Sequence, residues 1–201
     1  MRTNILVPVT LLLLSLAGLM PANSVWADDG WRTRSVTVEE VRNPQPPFLV
    51  RLTVDHPDHI YRGGEEMHTT VMSERSGYLY LFYRDASGRT SCLFPNCLQR
   101  DNQITAWKKV AVPAAQARFR LRVGPPYGRE YLKAVVTLRP LAAVEVASLI
   151  RGDTTPLDRE QVKAVFVELR DQPARWAEHG LAITTVDPNQ TVRAPRPSRR
   201  V

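Results

Sequence analysis

The only two cysteines of the sequence, Cys92 and Cys97, lie close together in the stretch SCLFPNCLQRDN. Paired thiols of this kind can exchange disulfides, bind a metal or form a structural cross-link. Four residues separate the two, whereas the usual redox motif has two, so the spacing favours a structural bond over thiol exchange. The compartment in which the chain folds decides whether such a bond can form.

A second group of residues that could bind a metal or take part in catalysis is the segment DHPDH, from Asp55 to His59. It holds two imidazoles and two carboxylates. A zinc or copper site needs three or four ligands that converge on one point. Pro57 and Asp58 predict a turn, which tends to point the side chains apart, and His68 is the nearest further candidate ligand. We expect a solvated polar turn with no metal or cofactor; the alternative is a small metal-dependent hydrolase that uses this turn.

Other catalytic patterns are weak or missing in the sequence. The segment GGEEM, from Gly63 to Met67, resembles the metal-binding hairpin motif of cyclases that use GTP, but Met67 stands where that motif has phenylalanine. We expect instead a tight turn in which glycine supplies a positive φ. The chain has no Gly-x-Ser-x-Gly elbow and no phosphate-binding loop. The sequence therefore names no catalytic residue, and we expect a protein that is not an enzyme.

The first 27 residues have the pattern of a cleaved signal peptide. Arg2 precedes an apolar run from Ile5 to Met20, Pro21 follows, and Val25 and Ala27 stand at the positions that a signal peptidase recognises. A chain exported in this way is expected to be periplasmic or secreted, in an oxidising compartment. There, two cysteines at this spacing are expected to form a disulfide, Cys92 to Cys97, of about 2 kcal/mol.

We expect residues 28–187 to form one domain, followed by a basic tail over residues 188–201. The whole chain has a formal net charge of +7. The tail combines prolines with arginines and little apolar content, so it is expected to be disordered. It serves either solubility or contact with an anionic surface. The arginines in question are Arg193, Arg196, Arg199 and Arg200.

The pattern between these ends is that of short strands. Apolar and polar residues alternate, and Gly77 to Tyr83 is apolar on both faces, which predicts a central strand covered on each side. Asp85 to Gly88 predicts a hairpin turn. The predicted strands are Thr33 to Val41, Phe48 to Val54, Gly77 to Tyr83, Arg89 to Phe94, Lys109 to Pro113, Ala117 to Val123, Tyr131 to Leu138 and Leu181 to Val186.

One helix interrupts this rhythm late in the chain. Apolar residues from Val162 to Leu169 recur at helical spacing after Pro156, and Pro173 ends the pattern. Short strands with one late helix predict a mainly β fold, an immunoglobulin-like β-sandwich. A small antiparallel β-barrel is the alternative.

Several short motifs follow one another along the chain: Tyr61-Arg62-Gly63-Gly64-Glu65, Gly77 to Phe82, Leu93-Phe94-Pro95-Asn96 with Asp101-Asn102, and Gly124-Pro125-Pro126 with Gly128-Arg129-Glu130. Together they resemble one known bacterial family, the domain of unknown function 4384, over about residues 50–138. The resemblance implies an exported protein, since family members are typically exported and often joined to caspase-like, kinase or cell-envelope modules. It supplies no catalytic residues.

These observations favour an exported, non-catalytic binding or assembly module of the bacterial cell envelope. Its expected partner is an envelope protein or an anionic envelope polymer, with no nucleic acid and no transmembrane segment in the mature chain. Loops of such sandwiches commonly contact partners. The candidate contact residues are Leu93, Phe94, Pro95, Asn96 and the four tail arginines.

Overall fold

The computed structural model describes residues 37–144 and 156–190. The predicted signal peptide, residues 1–27, and the arginines of the tail, Arg193, Arg196, Arg199 and Arg200, lie outside the described residues.

The smaller of the two main sheets has three antiparallel strands in the order β1-β4-β8. Alternation places Leu52 and Val71, which are directly opposite in the β1–β4 register, on the inner face. The strands are β1 (Val50–Val54), β4 (Thr69–Ser73) and β8 (Val110–Val112).

The larger sheet has six strands in the order β2-β11-β10-β5-β6, with β7 also paired to β5. Its pairs are antiparallel except for β2 with β11, which is parallel. A separate two-stranded ribbon joins β3 to β9. The strands are β2 (Ile60–Arg62), β3 (Glu66–Met67), β5 (Gly77–Arg84), β6 (Thr90–Phe94), β7 (Gln103–Ile104), β9 (Leu121–Arg122), β10 (Arg129–Thr137) and β11 (Trp176–Val186).

The main core lies between the two sheets and confirms the predicted β-sandwich. It includes Leu52, Val71, Leu81 and Leu132, all 2% exposed or less. Burial of these apolar side chains on two facing sheets is the main favourable contribution to the fold. In the described part of the chain the sheets do not close on themselves, so the alternative of a barrel is not observed.

A second core covers the opposite face of the large sheet, which explains why β5 is apolar on both faces. Tyr80, Phe82 and Val135 point to this side and pack against a helix, α1 (Arg159–Arg170). Asp158 caps the helix by accepting a hydrogen bond from the backbone N–H of Gln161, in a capping box. The predicted late helix is thus confirmed.

Trp176 fixes α1 to the sheet. It begins β11, is 3% exposed, and donates a hydrogen bond from Nε1 to the carbonyl of Leu169 in the last turn of the helix, over 2.7 Å. This bond satisfies the indole N–H and one helix-end carbonyl together.

No helix in the described ranges is both long and apolar enough to cross a membrane.

The prediction of a strand from Thr33 to Val41 is wrong for its described part. Val38–Glu40 is a 3-10 helix, and the backbone N–H of Thr37 donates to the Glu40 carboxylate. Val38 and Val41, three positions apart, therefore both point into the second core, at 4% and 7% exposure. A pattern of alternate valines had suggested a strand instead.

Lys133 of β10 is buried between the large sheet and this amino-terminal segment. Its side chain is 1% exposed, and Nζ donates hydrogen bonds to the carbonyls of Val41 and Glu39. The carboxylate of Glu178 on β11 lies 3.7 Å from Nζ. Burial lowers the pKa of Lys133 to about 8, against the attraction of Glu178.

Candidate functional site

A groove of about 470 Å³ opens at one end of the sandwich. The loop after β6 forms one wall, and the segment around β9 forms the other. The main core ends here, so apolar residues of the core also line the interior of the groove. The residues that belong to both the core and the groove are Met67, Leu93, Leu121 and Ile183. The groove is therefore an open end of the hydrophobic core and not a separate indentation of the surface.

Glu130 lies at the inner end of the groove and is 2% exposed. Its Oε2 accepts a hydrogen bond from the Tyr83 hydroxyl over 2.7 Å, and its Oε1 accepts one from the Thr185 hydroxyl over 2.9 Å. Burial raises the pKa of Glu130, and these hydrogen bonds only partly offset the effect. The same burial, with the adjacent carboxylate, raises the pKa of Tyr83.

Two arginines of the β9 wall share one acidic partner. Glu66 on β3 lies 3.6 Å from Nε of Arg120 and 3.9 Å from Nη2 of Arg122. The arginine side chains are 50% and 70% exposed, so each guanidinium keeps donors that face solvent. The antiparallel β3–β9 register holds both side chains beside the same carboxylate.

The hairpin between β5 and β6 forms another part of the rim, and the predicted turn is confirmed. Asp85 Oδ1 accepts hydrogen bonds from the backbone of Ser87 and Arg89, and Gly88 adopts a φ of 88°. Arg89 Nε donates to Asp85 Oδ2 over 2.7 Å. Burial opposes ionisation of Asp85, but the bonds from Ser87 and Arg89 prevail and lower its pKa.

The loop after β6 is held together by one asparagine. Asn96, 7% exposed, donates from Nδ2 to the carbonyl of Leu93, and its Oδ1 accepts from the backbone N–H groups of Leu98 and Gln99. This arrangement leaves the Leu98 side chain 56% exposed at the groove. On the opposite wall, Phe119 is half-buried.

The predicted contact residues of this loop divide into two groups. Leu93 and Asn96 line the groove. Phe94, in contrast, is 1% exposed and belongs to the main core, and it does not line the groove. Pro95 is half-buried and does not line the groove.

The predicted disulfide between Cys92 and Cys97 is absent from the structure. Cys92 lies on β6, points into the second core, and donates from Sγ to the carbonyl of Phe94. Cys97 lines the groove on the other side of the sheet. Cys92 therefore points away from the groove that Cys97 lines, and this separates the two sulfurs. Burial raises the pKa of the Cys92 thiol to about 12.

The segment from Asp55 to His59 forms the expected turn. Asp55 accepts hydrogen bonds from the Tyr61 hydroxyl and the His68 backbone, while His56 Nδ1 lies 2.7 Å from the Ile60 carbonyl and its ring stacks on Tyr61. Within residues 37–144 and 156–190, no group of three His, Cys, Asp or Glu side chains could hold a metal ion. The GGEEM segment likewise forms a turn, with Gly64 at a φ of 90°.

The sequence analysis did not identify four residues of the groove as site residues: Tyr83, Arg120, Arg122 and Glu130. Glu130 falls at an inward-facing position of its strand, where an apolar residue is usual. An acidic residue at such a position is a detectable signal, because burying a carboxyl group demands hydrogen-bond partners.

Residues 60–140 match the model of the family described as Domain of unknown function (DUF4384). The matched segment is a DUF4384 domain. This confirms the predicted membership, and the matched DUF4384 segment contains both walls of the groove and its inner Glu130. No curated protein matches the chain.

Proposed function

We propose that this DUF4384 protein is an exported, non-catalytic binding module of the cell envelope, which holds an extended segment of a partner protein in the groove. The observation that carries the proposal is the combination, at one open end of the core, of apolar walls with an arginine-bearing rim. Location in the envelope rests on the signal-peptide pattern of residues 1–27.

The apolar component of the groove supports a ligand with apolar side chains. Leu98 is 56% exposed and faces a groove that also contains the half-buried Phe119. Covering these groups would remove apolar surface from water, at roughly 25 cal/mol for each Å². An extended peptide can place alternate side chains into such a groove.

The rim supports acidic groups in the same ligand. Arg120 and Arg122 share the single carboxylate of Glu66, so a carboxylate of the partner could accept further charge-assisted hydrogen bonds. Burial at the inner end raises the pKa of Glu130, which opposes ionisation of this carboxyl. The groove is therefore suited to a segment that combines acidic and apolar residues.

Charge reversal on the rim tests the proposal. The double variant R120E/R122E is expected to lower affinity for the partner about tenfold or more, because two exposed ionic contacts of up to roughly 1 kcal/mol each become repulsive. Binding to the unaltered protein should also weaken as salt rises.

The matched control is R51E/R159E, which makes the same charge change at two exposed arginines that do not line the groove. It should bind as the unaltered protein does. Equal affinity of R120E/R122E and the control would contradict the proposal.

A further inference from the structure

A tryptophan occupies a turn position that normally requires glycine. The backbone N–H of Lys108 donates to the carbonyl of Thr105, which closes a β-turn, and Trp107 at its third position has a φ of 65°. A positive φ at this position is typical of type II turns and is disfavoured for bulky side chains. Trp107 nevertheless stays in it and is 63% exposed.

The surrounding backbone fixes this conformation. Trp107 donates from its N–H to the carbonyl of Ser73 over 2.7 Å, and Ala106 donates to the Ser76 hydroxyl over 3.0 Å. The turn is therefore tied to the end of β4, with the indole side chain directed away from the core. Strained residues that the protein maintains at its surface tend to mark functional positions.

A second large apolar side chain lies at the same end of the small sheet. Leu49 is 66% exposed, and its carbonyl accepts a hydrogen bond from the backbone N–H of Glu74. Ser73, the residue before Glu74, pairs with Val50 on one side, and its carbonyl accepts a hydrogen bond from Trp107 on the other. Leu49 and Trp107 are thus about two strand spacings apart, roughly 10 Å.

Positive charge surrounds these two side chains. Lys108 and Lys109 follow Trp107, and Arg75 follows Glu74; all three cations are exposed. An acidic side chain, Glu74, also lies at this end, and its carboxylate already accepts a hydrogen bond from the backbone N–H of Leu49. We name Leu49, Arg75, Trp107, Lys108 and Lys109 the Trp107 surface.

We infer that the Trp107 surface anchors the domain to an anionic lipid bilayer. Tryptophan favours the boundary between headgroups and acyl chains, where its ring is apolar and its N–H stays hydrated. Adjacent lysines add attraction to anionic headgroups. A protruding turn with an exposed indole, next to an exposed leucine and three cations, has the chemistry of such an interfacial contact.

The anchor would leave the proposed groove accessible. β5 begins at Gly77, next to the Ser76 that bonds the Trp107 turn, and ends at Arg84, next to the Tyr83 that bonds Glu130. Its eight residues separate the two ends by about 25 Å. A domain held to a bilayer at one end therefore presents its groove away from it.

The test is sedimentation of the processed protein with vesicles of phosphatidylethanolamine and phosphatidylglycerol in equal parts. We expect W107G to weaken binding about tenfold. K108Q/K109Q should weaken it about twenty-fivefold, from about a fivefold loss for each lysine. W107G should keep or raise the Tm, since glycine suits the positive φ. The control L98S, in the groove, should bind as the unaltered protein does.

A second readout observes the side chain itself. Brominated lipid should quench part of the tryptophan fluorescence of the bound protein, and this part should be missing in W107F. Equal vesicle binding of W107G and the unaltered protein would overturn the inference, as would equal binding to pure phosphatidylcholine vesicles. It would also fail if Trp107 proved to mediate self-association that W107G abolishes in analytical ultracentrifugation.

Discussion

The hydroxyl of Tyr83 donates a hydrogen bond to Oε2 of Glu130 over 2.7 Å, at the inner end of the groove. Thr185 holds the second oxygen, so two hydroxyls fix the buried carboxyl group. Burial raises the pKa of Glu130, and the two hydrogen bonds only partly offset this effect.

In the unaltered protein, Glu130 should lower the free energy of unfolding as pH rises, and the variant E130Q should lack this effect. Burial raises the pKa of Glu130 above the ordinary value of about 4.3, so the folded protein holds this proton more tightly than the unfolded chain. As pH rises above about 4.3, the unfolded chain ionises first and the free energy of unfolding falls until the native carboxyl also ionises.

Thermal unfolding of both proteins between pH 4 and pH 8 checks this prediction. The Tm of E130Q relative to the unaltered protein should be higher near neutral pH than near pH 4, since glutamine cannot ionise. A Tm difference that stays constant over this range, or that grows on acidification, would show that the pKa of Glu130 is not raised in the folded protein.

The two cysteines should differ in reactivity. Cys92 is 8% exposed and its thiol pKa is raised to about 12, whereas Cys97 is half-buried at the groove. Because alkylation needs an accessible thiolate, iodoacetamide should modify Cys97 in the folded protein and Cys92 only after denaturation. Intact mass should show one adduct and then two. No adduct until a reductant is added would instead establish the disulfide that the sequence predicted.

Removing the buried ammonium of Lys133 should lower the stability of the protein, because the Glu178 carboxylate then lacks its cation. In K133M the Glu178 carboxylate, only 17% exposed, loses the cation 3.7 Å away, at a cost of about 3 kcal/mol. The double variant K133M/E178Q should recover much of this free energy, as measured by urea unfolding. Equal stability of the single and double variants would contradict the coupling.

The titration of Lys133 gives this pair a pH dependence. Its native pKa of about 8 lies below the ordinary value of about 10.4, so charging the buried amine costs stability below pH 8. That cost disappears as pH rises from about 8 to 10.4. The free energy of unfolding of the unaltered protein, relative to that of K133M, should therefore increase as pH rises across this window. A difference that stays constant would contradict the lowered pKa of Lys133.

Asn96 should control both stability and the shape of the groove. N96A removes one donor and an acceptor that serves two backbone N–H groups, so we expect a loss of about 1–3 kcal/mol. N96D keeps the acceptor and should lose less. Chemical unfolding measures both variants; equal losses would mean that the Oδ1 contacts do not hold the loop.

Much of the fold could be predicted because alternation is a local property. The apolar run from Gly77 to Tyr83 indicated a strand with two covered faces, and the structure places one core on each side. The same reasoning gave a wrong prediction at Val38 and Val41. Their spacing of three residues fits a 3-10 helix, but the sequence does not show the second core into which both side chains point.

The groove could be predicted only in part. The loop from Leu93 to Asn96 was identified as one of the family motifs. The contacts of Arg120 and Arg122 with Glu66, and of Glu130 with Thr185, form only through strand pairing between distant segments. The cysteines illustrate the same difficulty: five positions suggest proximity, whereas the direction of each side chain depends on where β6 ends.

Photo-crosslinking in the producing cell tests the groove most directly. A benzophenone amino acid at Leu98, on the groove, should yield a discrete adduct with one partner protein, and R120E/R122E should abolish it. The same probe at Ile60, 46% exposed on β2 at the opposite edge of the large sheet, should not yield this adduct. Identical adducts from the two positions, or a Leu98 adduct that survives the charge reversal, would contradict the assignment of the groove as the binding site.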